Sequence, residues 1–197
     1  MHKKTKSRST TEFWVIVGLL VATRMLDNYT TYLVYPYLRN EASPFVKLHG
    51  FGWTGLLVGQ AVLLGFVIWA CSRDVFGGDE VYPRLPRLTF ADFVSYYHTS
   101  QPGRWLDVFW RLPHKREILW RGIGYAVSRT WIAISVLVSI SNVCQHFNES
   151  YRSFYRVVFP YVFPLGVSGL LLLICLWAFH RKEYRRYAEI MQSESVA

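Results

Sequence analysis

The sequence predicts an all-α integral membrane protein: a four-transmembrane-helix bundle with both termini cytoplasmic and a cytoplasmic segment of short amphipathic helices. Three observations carry this expectation. Apolar residues make up 52 % of the 197 positions and charged residues only 18 %, which excludes a disordered or collagen-like chain. The apolar residues gather into blocks at 13–38, 53–71, 120–144 and 159–179, and crossing a hydrocarbon core of ~30 Å takes about 20 such residues. Finally, 16 of the 22 Lys and Arg residues flank these blocks on one side, the side that stays in the cytoplasm. The chain is read as one membrane domain over 1–197, with residues 72–119 as its cytoplasmic segment.

The positive net charge of +9 is then a topology signal and an attraction to anionic headgroups, worth ~1 kcal/mol for each basic residue near such a surface. No nucleic-acid reader motif accompanies it, so the expected partners are the lipid bilayer and a membrane protein or a second copy of this chain, with no nucleic acid. Lys3, Lys4, Lys6 and Arg8 followed by the apolar run 13–22 resemble a secretory leader, but no A-x-A site follows. Ser9 and Glu12 have capping-box spacing, so the segment is expected to be retained as the start of the first span.

That first span carries the most informative pattern. Arg24, Asp27, Asn28, Thr31 and Tyr35 recur at steps of three and four, which places them on one helical face. Insertion costs ~2.5–3.5 kcal/mol for each Arg or Asp near the helix centre and returns only ~0.3–0.6 for each Leu, Ile, Phe or Val. With ten such apolar residues between Phe13 and Val34, the two terms nearly cancel. The polar face must therefore turn toward other helices or a wet cavity. Three readings stay open: an Arg24–Asp27 pair that glues the bundle, a functional polar site such as an ion relay or headgroup pocket, or an Arg24 that snorkels alone. Asn40 to Pro44 form an outer turn, in which Glu41 is free to bind a cation, cap a helix or meet Lys47.

In the second span Gly52, Gly55 and Gly59 thin one side, and Gly55-x-x-x-Gly59 is a spacing that lets two backbones approach closely. The third span carries Ser128, Ser135, Ser139 and Asn142 as a small polar seam, and its Arg129 either snorkels toward the cytoplasm or pairs with Asp27. In the fourth, Pro160 and Pro164 are expected in the first turns, where a missing amide donor costs least. Within the cytoplasmic segment Thr89 and Asp92 cap a short helix running to about His98. Beyond Pro102-Gly103, an apolar face of Trp105, Phe109 and Leu112 opposes a polar face of Arg104, Asp107 and Arg111. That pattern suits either a helix in the headgroup plane or a small cytoplasmic lobe. The tail after His180 is expected to run into water, with Tyr184 and Tyr187 near the surface.

The chemistry-bearing residues assemble no familiar constellation. There is no His-Glu-x-x-His, Gly-x-Ser-x-Gly or phosphate loop. Glu41, His49, His146 and Glu149 lack the tight spacing of a metal site, and the three cysteines suggest no bridge. No catalytic residue, metal or cofactor is assigned. Asn148-Glu-Ser150 is a glycosylation triplet with meaning only in a secretory host.

Asp27 and Thr30, with Glu41 and Pro44 in the turn after the first span, resemble a small uncharacterised prokaryotic membrane-protein family, a domain of unknown function with Asp-x-x-Thr in its first helix and Glu-x-Asn-Pro in the following turn. Ser43 stands where the family has Asn, and the match is limited to about residues 13–70. The resemblance implies a bacterial or archaeal cytoplasmic membrane. The expected function is a non-enzymatic, multi-pass protein of the cell inner membrane that binds a partner or joins a membrane complex. The alternative is a small oligomeric transporter or proton or ion conductor using the polar stripe. A third option is a lipid-modifying enzyme at the cytoplasmic headgroup plane, with His98 and His114 as its only candidate bases.

Overall fold

A computed structural model describes residues 2–38, 52–77, 81–83, 85, 88–101, 106, 108, 111–162 and 166–196. The chain is all-helical, with six helices and no strand among the described residues: α1 (His2–Val34), α2 (Gly52–Val75), α3 (Phe90–Thr99), α4 (Arg116–Phe147), α5 (Glu149–Val162) and α6 (Ser168–Val196). Two of these, α2 and α4, are long and apolar enough to cross a membrane.

Helix α1 begins and ends earlier than the apolar block 13–38 suggests. It already runs through Ser9, so Ser9 does not cap it, and Glu12 turns instead to Arg129 and Lys182 at 3.3 and 3.7 Å. Its other end falls at Val34 because Pro36 has no amide donor and disfavours helical backbone in the residue before it. Leu38 closes the turn with φ 52° and donates its N–H to the Tyr35 carbonyl.

The central element is α4, against which α1, α2 and α6 all pack. A close backbone approach to α2 occurs at Gly124, where an added Cβ would collide with the Ala70 carbonyl oxygen. Only glycine permits that backbone contact, the role small residues play where helices meet in lipid. Of the glycines expected to make such a contact, Gly52 has φ +55° and open space around it, while Gly55 and Gly59 are half-buried. Ile16 and Leu20 of α1 fill the angle beside Val67, Cys71 and Val75 of α2, and Trp69 stands edge-on to Trp120 at 4.9 Å.

Asn148 ends α4 and starts α5: its N–H donates to the Cys144 carbonyl, and its Oδ1 accepts the Tyr151 N–H at 2.9 Å. Within the block 159–179, residues 163–165 lie outside the described residues. One helix ends at Val162 and the next starts at Ser168 after a π-type turn at residues 166–167, with the donorless Pro164 between them in sequence.

Helix α3 forms as its cap predicts: the Thr89 hydroxyl accepts the Asp92 N–H at 3.2 Å, and Ser100 closes the helix in left-handed conformation at φ 57°. It packs on the second half of α6. Phe93, Tyr97, Phe179 and Tyr187 form the core of a small lobe with Val81, Tyr82 and Ile118. The tail therefore does not run free into water, since Tyr187 is buried and Tyr184 half-buried. Glu12, Asp74, Arg129 and Lys182 meet at one end of the bundle and Tyr35 meets Gln145 at the other. Along α4, therefore, α1 runs parallel, with its start at Arg129 and its end at Gln145, while α2 and α6 run antiparallel.

Candidate functional site

The polar stripe of α1 faces α4. Arg24 donates to Asp27 at 2.6 Å and to the Ser135 hydroxyl at 3.3 Å, and its guanidinium lies 5.1 Å from the Trp131 ring centroid. One turn onward, Asn142 donates to the hydroxyls of Thr30 and Thr31 at 3.3 and 3.0 Å, and the Tyr35 hydroxyl donates to Gln145 Oε1 at 2.9 Å. The structure thus brings Arg24, Asp27, Thr31 and Ser135 together, with Asp27 only 7 % exposed. Asn28 is half-buried. Ser135 and Ser139 return their own protons to α4 carbonyls, which leaves the Ser135 lone pairs to accept from Arg24 of α1. Ser128 lies further along, bonded to the Gly124 carbonyl and accepting from Arg129.

Arg129 does not join Asp27. Its guanidinium reaches Asp74 at 3.2 Å and Glu12 at 3.3 Å and lies 4.0 Å from the Tyr125 ring centroid. Side chains on a helix lean toward its N-terminus, and on α4 that is the charged end of the bundle. Lys182 completes this group at 2.9 Å from Asp74.

A second buried network lies deeper in the lobe. Arg121 and Glu183 pair at 2.7 Å with both side chains wholly buried. The same carboxylate oxygen accepts the Tyr82 and Tyr97 hydroxyls at 3.0 and 2.9 Å. Burial, and after it the Glu183 carboxylate, pushes both phenols above their ordinary range, so they remain donors. Removing two charges from water is expensive unless the remaining lone pairs and protons are also satisfied, and here Glu183 takes three donors on one oxygen.

Beside it, His98 and His180 meet through their Nε2 atoms at 2.8 Å. The His180 Nδ1–H donates to the Leu176 carbonyl at 2.6 Å, which leaves its Nε2 as acceptor and makes the His98 Nε2–H the donor. Burial, reinforced by His180, pulls the His98 pKa down to about 3, and burial lowers His180 as well. Both rings are therefore neutral near pH 7. His114, the other expected base, bonds through Nδ1 to the His98 carbonyl at 3.1 Å.

Both imidazoles line a cavity of about 980 Å³ between α3, α4 and α6, with Leu119, Ile123, Leu173 and Trp177 among its walls. Glu41, Pro44, Lys47 and His49 of the outer turn, and Arg104, Trp105, Asp107 and Phe109 of the middle segment, lie outside the described residues.

Sequence reasoning missed Asp74, Glu183, Tyr82, Tyr97 and His180. A signal was available for two of them: Glu183 shares a face with Phe179 and Tyr187 at steps of four, and Asp74 follows Val67 and Cys71 at steps of four and three. Each is an acid on an otherwise apolar stripe, the pattern that marks a buried partner. Comparison of the chain with protein-family models, with curated proteins and with solved structures finds no match.

Proposed function

We propose that this chain is a four-span protein of the cytoplasmic (inner) membrane, with both termini in the cytoplasm, and that it works by binding a membrane-protein partner or a second copy of itself. The observation that carries the reading is an inversion of polarity. Ser135, Ser139, Asn142, Asp74, Arg121 and Glu183 are buried, while Trp14, Met25, Val58, Val62, Leu173 and Ile174 are each more than half exposed. Water opposes such a surface by ~25 cal/mol per Å² of apolar area. Hydrocarbon accepts it and penalises unpaired polar groups instead.

That α1 spans beside α2 and α4 is supported by its polar stripe being paired with α4, which removes most of the insertion cost of Arg24 and Asp27. The orientation is supported by the clustering of basic residues at the Glu12–Asp74–Lys182 end. A binding role rather than a catalytic one is supported by the buried ionisable groups occupying one another: Asp27 with Arg24, and Glu183 with Arg121 and two phenols. Membership of the prokaryotic family that residues 13–70 resemble belongs to the same proposal.

Reporter domains fused to the two termini should both report the cytoplasm. Cross-linking in native membranes, followed by sizing in mild detergent, should give a species larger than one chain. Termini on opposite sides would overturn the topology, and repeated recovery of a lone monomer would overturn the binding role.

A further inference from the structure

We propose that the cavity between α3, α4 and α6 holds one anionic phospholipid of the surrounding bilayer, its acyl chains against α4 and α6 and its phosphate at the end marked by Arg111 and Arg181. The proposal rests on the membrane reading given above. A volume of about 980 Å³ lies at the upper end of the ~300–1,000 Å³ typical of sites that enclose a small molecule. The walls from α6 are themselves surface residues: Leu173 is 52 % and Trp177 57 % exposed. The cavity is therefore continuous with the apolar exterior, so an acyl chain enters sideways without crossing water. From His180 back to Leu172, α6 advances about 12 Å at the ~1.5 Å rise per residue of a helix, close to the ~15 Å half-thickness of the hydrocarbon core.

Charge decides between phospholipid classes. Among the described residues no Asp or Glu lines the cavity, whereas Arg111 does. The Arg181 guanidinium sits 5.0 Å from the ring centroids of Phe90 and Trp177, two cavity residues, and pairs with no carboxylate among the described residues. The His98–His180 pair contributes no competing charge. Basic pockets between membrane helices on the cytoplasmic side select anionic headgroups by this arrangement.

The full chain is reconstituted in vesicles of equal parts phosphatidylglycerol and phosphatidylcholine, extracted in mild detergent and weighed intact by native mass spectrometry. One phosphatidylglycerol should remain per chain in preference to phosphatidylcholine. Arg111 and Arg181 are both exposed, so the fold tolerates Arg111→Gln with Arg181→Gln. That double variant should weaken retention about thirtyfold, at ~1 kcal/mol for each of the two basic residues. Leu173→Trp, which fills the mouth from an exposed position, should abolish retention of the single lipid. Equal retention of the two lipids, or retention unchanged in both variants, overturns the proposal. Release of the chain from membranes by alkaline carbonate would instead overturn the membrane reading and this proposal together.

Discussion

The two buried polar regions of this protein are built differently. The α1–α4 seam draws its polar side chains from two helices, and several hydroxyls there also bond to carbonyls of their own helix, as Thr23 does to Leu19 and Ser135 to Trp131. The Arg121–Glu183 network draws on α4, α6, α3 and the 81–83 segment, and its contacts span 39 to 101 positions of sequence. A seam whose members retain a local partner loses little when one contact is removed. A network built around a wholly buried ion pair, Arg121 with Glu183, loses far more when one charge is removed. The first resembles adjustable glue between helices, and the second a lock that fixes the lobe on the bundle.

The sharpest test of this contrast is Glu183→Ala, which leaves the wholly buried Arg121 without its carboxylate. Breaking a buried pair in this way costs about 3–5 kcal/mol, so thermal unfolding in detergent should show loss of most of the folded population. Arg121→Met combined with Glu183→Leu should recover much of it. If the double variant is no better than Glu183→Ala, the penalty lies in packing and not in the stranded charge.

Asp27→Asn and Arg24→Gln probe the seam. Each is expected to cost about 1–3 kcal/mol, with the double variant costing less than their sum, because residues in direct contact couple by ~0.5–3 kcal/mol. Additive costs would mean that the two side chains serve the seam independently.

Titration separates the regions in another way. His98 is neutral when folded, with a pKa lowered from 6.5 to about 3, so between these values the unfolded chain binds the extra proton. Stability contributed by burying the neutral ring is complete above pH 6.5 and is lost as pH falls toward 3, at up to ~1.4 kcal/mol per unit. Unfolding followed from pH 7 to 5 should show this decline, and His98→Gln should flatten it. The smallest effect is expected at Asn142→Leu. Hydrogen bonds between membrane helices average ~0.6 kcal/mol, so the loss of its contacts with Thr30 and Thr31 should shift the unfolding midpoint only slightly.

Much of the seam was legible in the residues because its information is periodic within single helices. Arg24, Asp27 and Thr31 share a face by helical geometry alone, as do Ser135, Ser139 and Asn142, and two small polar faces in an apolar chain have few other places to go. The Thr89–Asp92 cap was legible for the same reason, being a three-residue pattern with a local mechanism. Ser9 and Glu12 have the same kind of spacing, yet the helix runs through Ser9, since a carboxylate near Arg129 and Lys182 gains more from them than from a backbone amide.

What the amino-acid order determined by itself is the helical character, the apolar blocks, the basic asymmetry and the amphipathic faces, all of which arise within a few turns of chain. Only the tertiary structure decided which faces meet: that Gly124 rather than Gly52 takes a close backbone contact, that Arg129 reaches Asp74, and that Tyr82, Tyr97, Arg121 and Glu183 converge. The reason is physical. Hydrogen bonds within a helix are set by neighbours three or four residues away, whereas a buried charge is satisfied by whichever partner the packing of distant segments brings within about 3 Å.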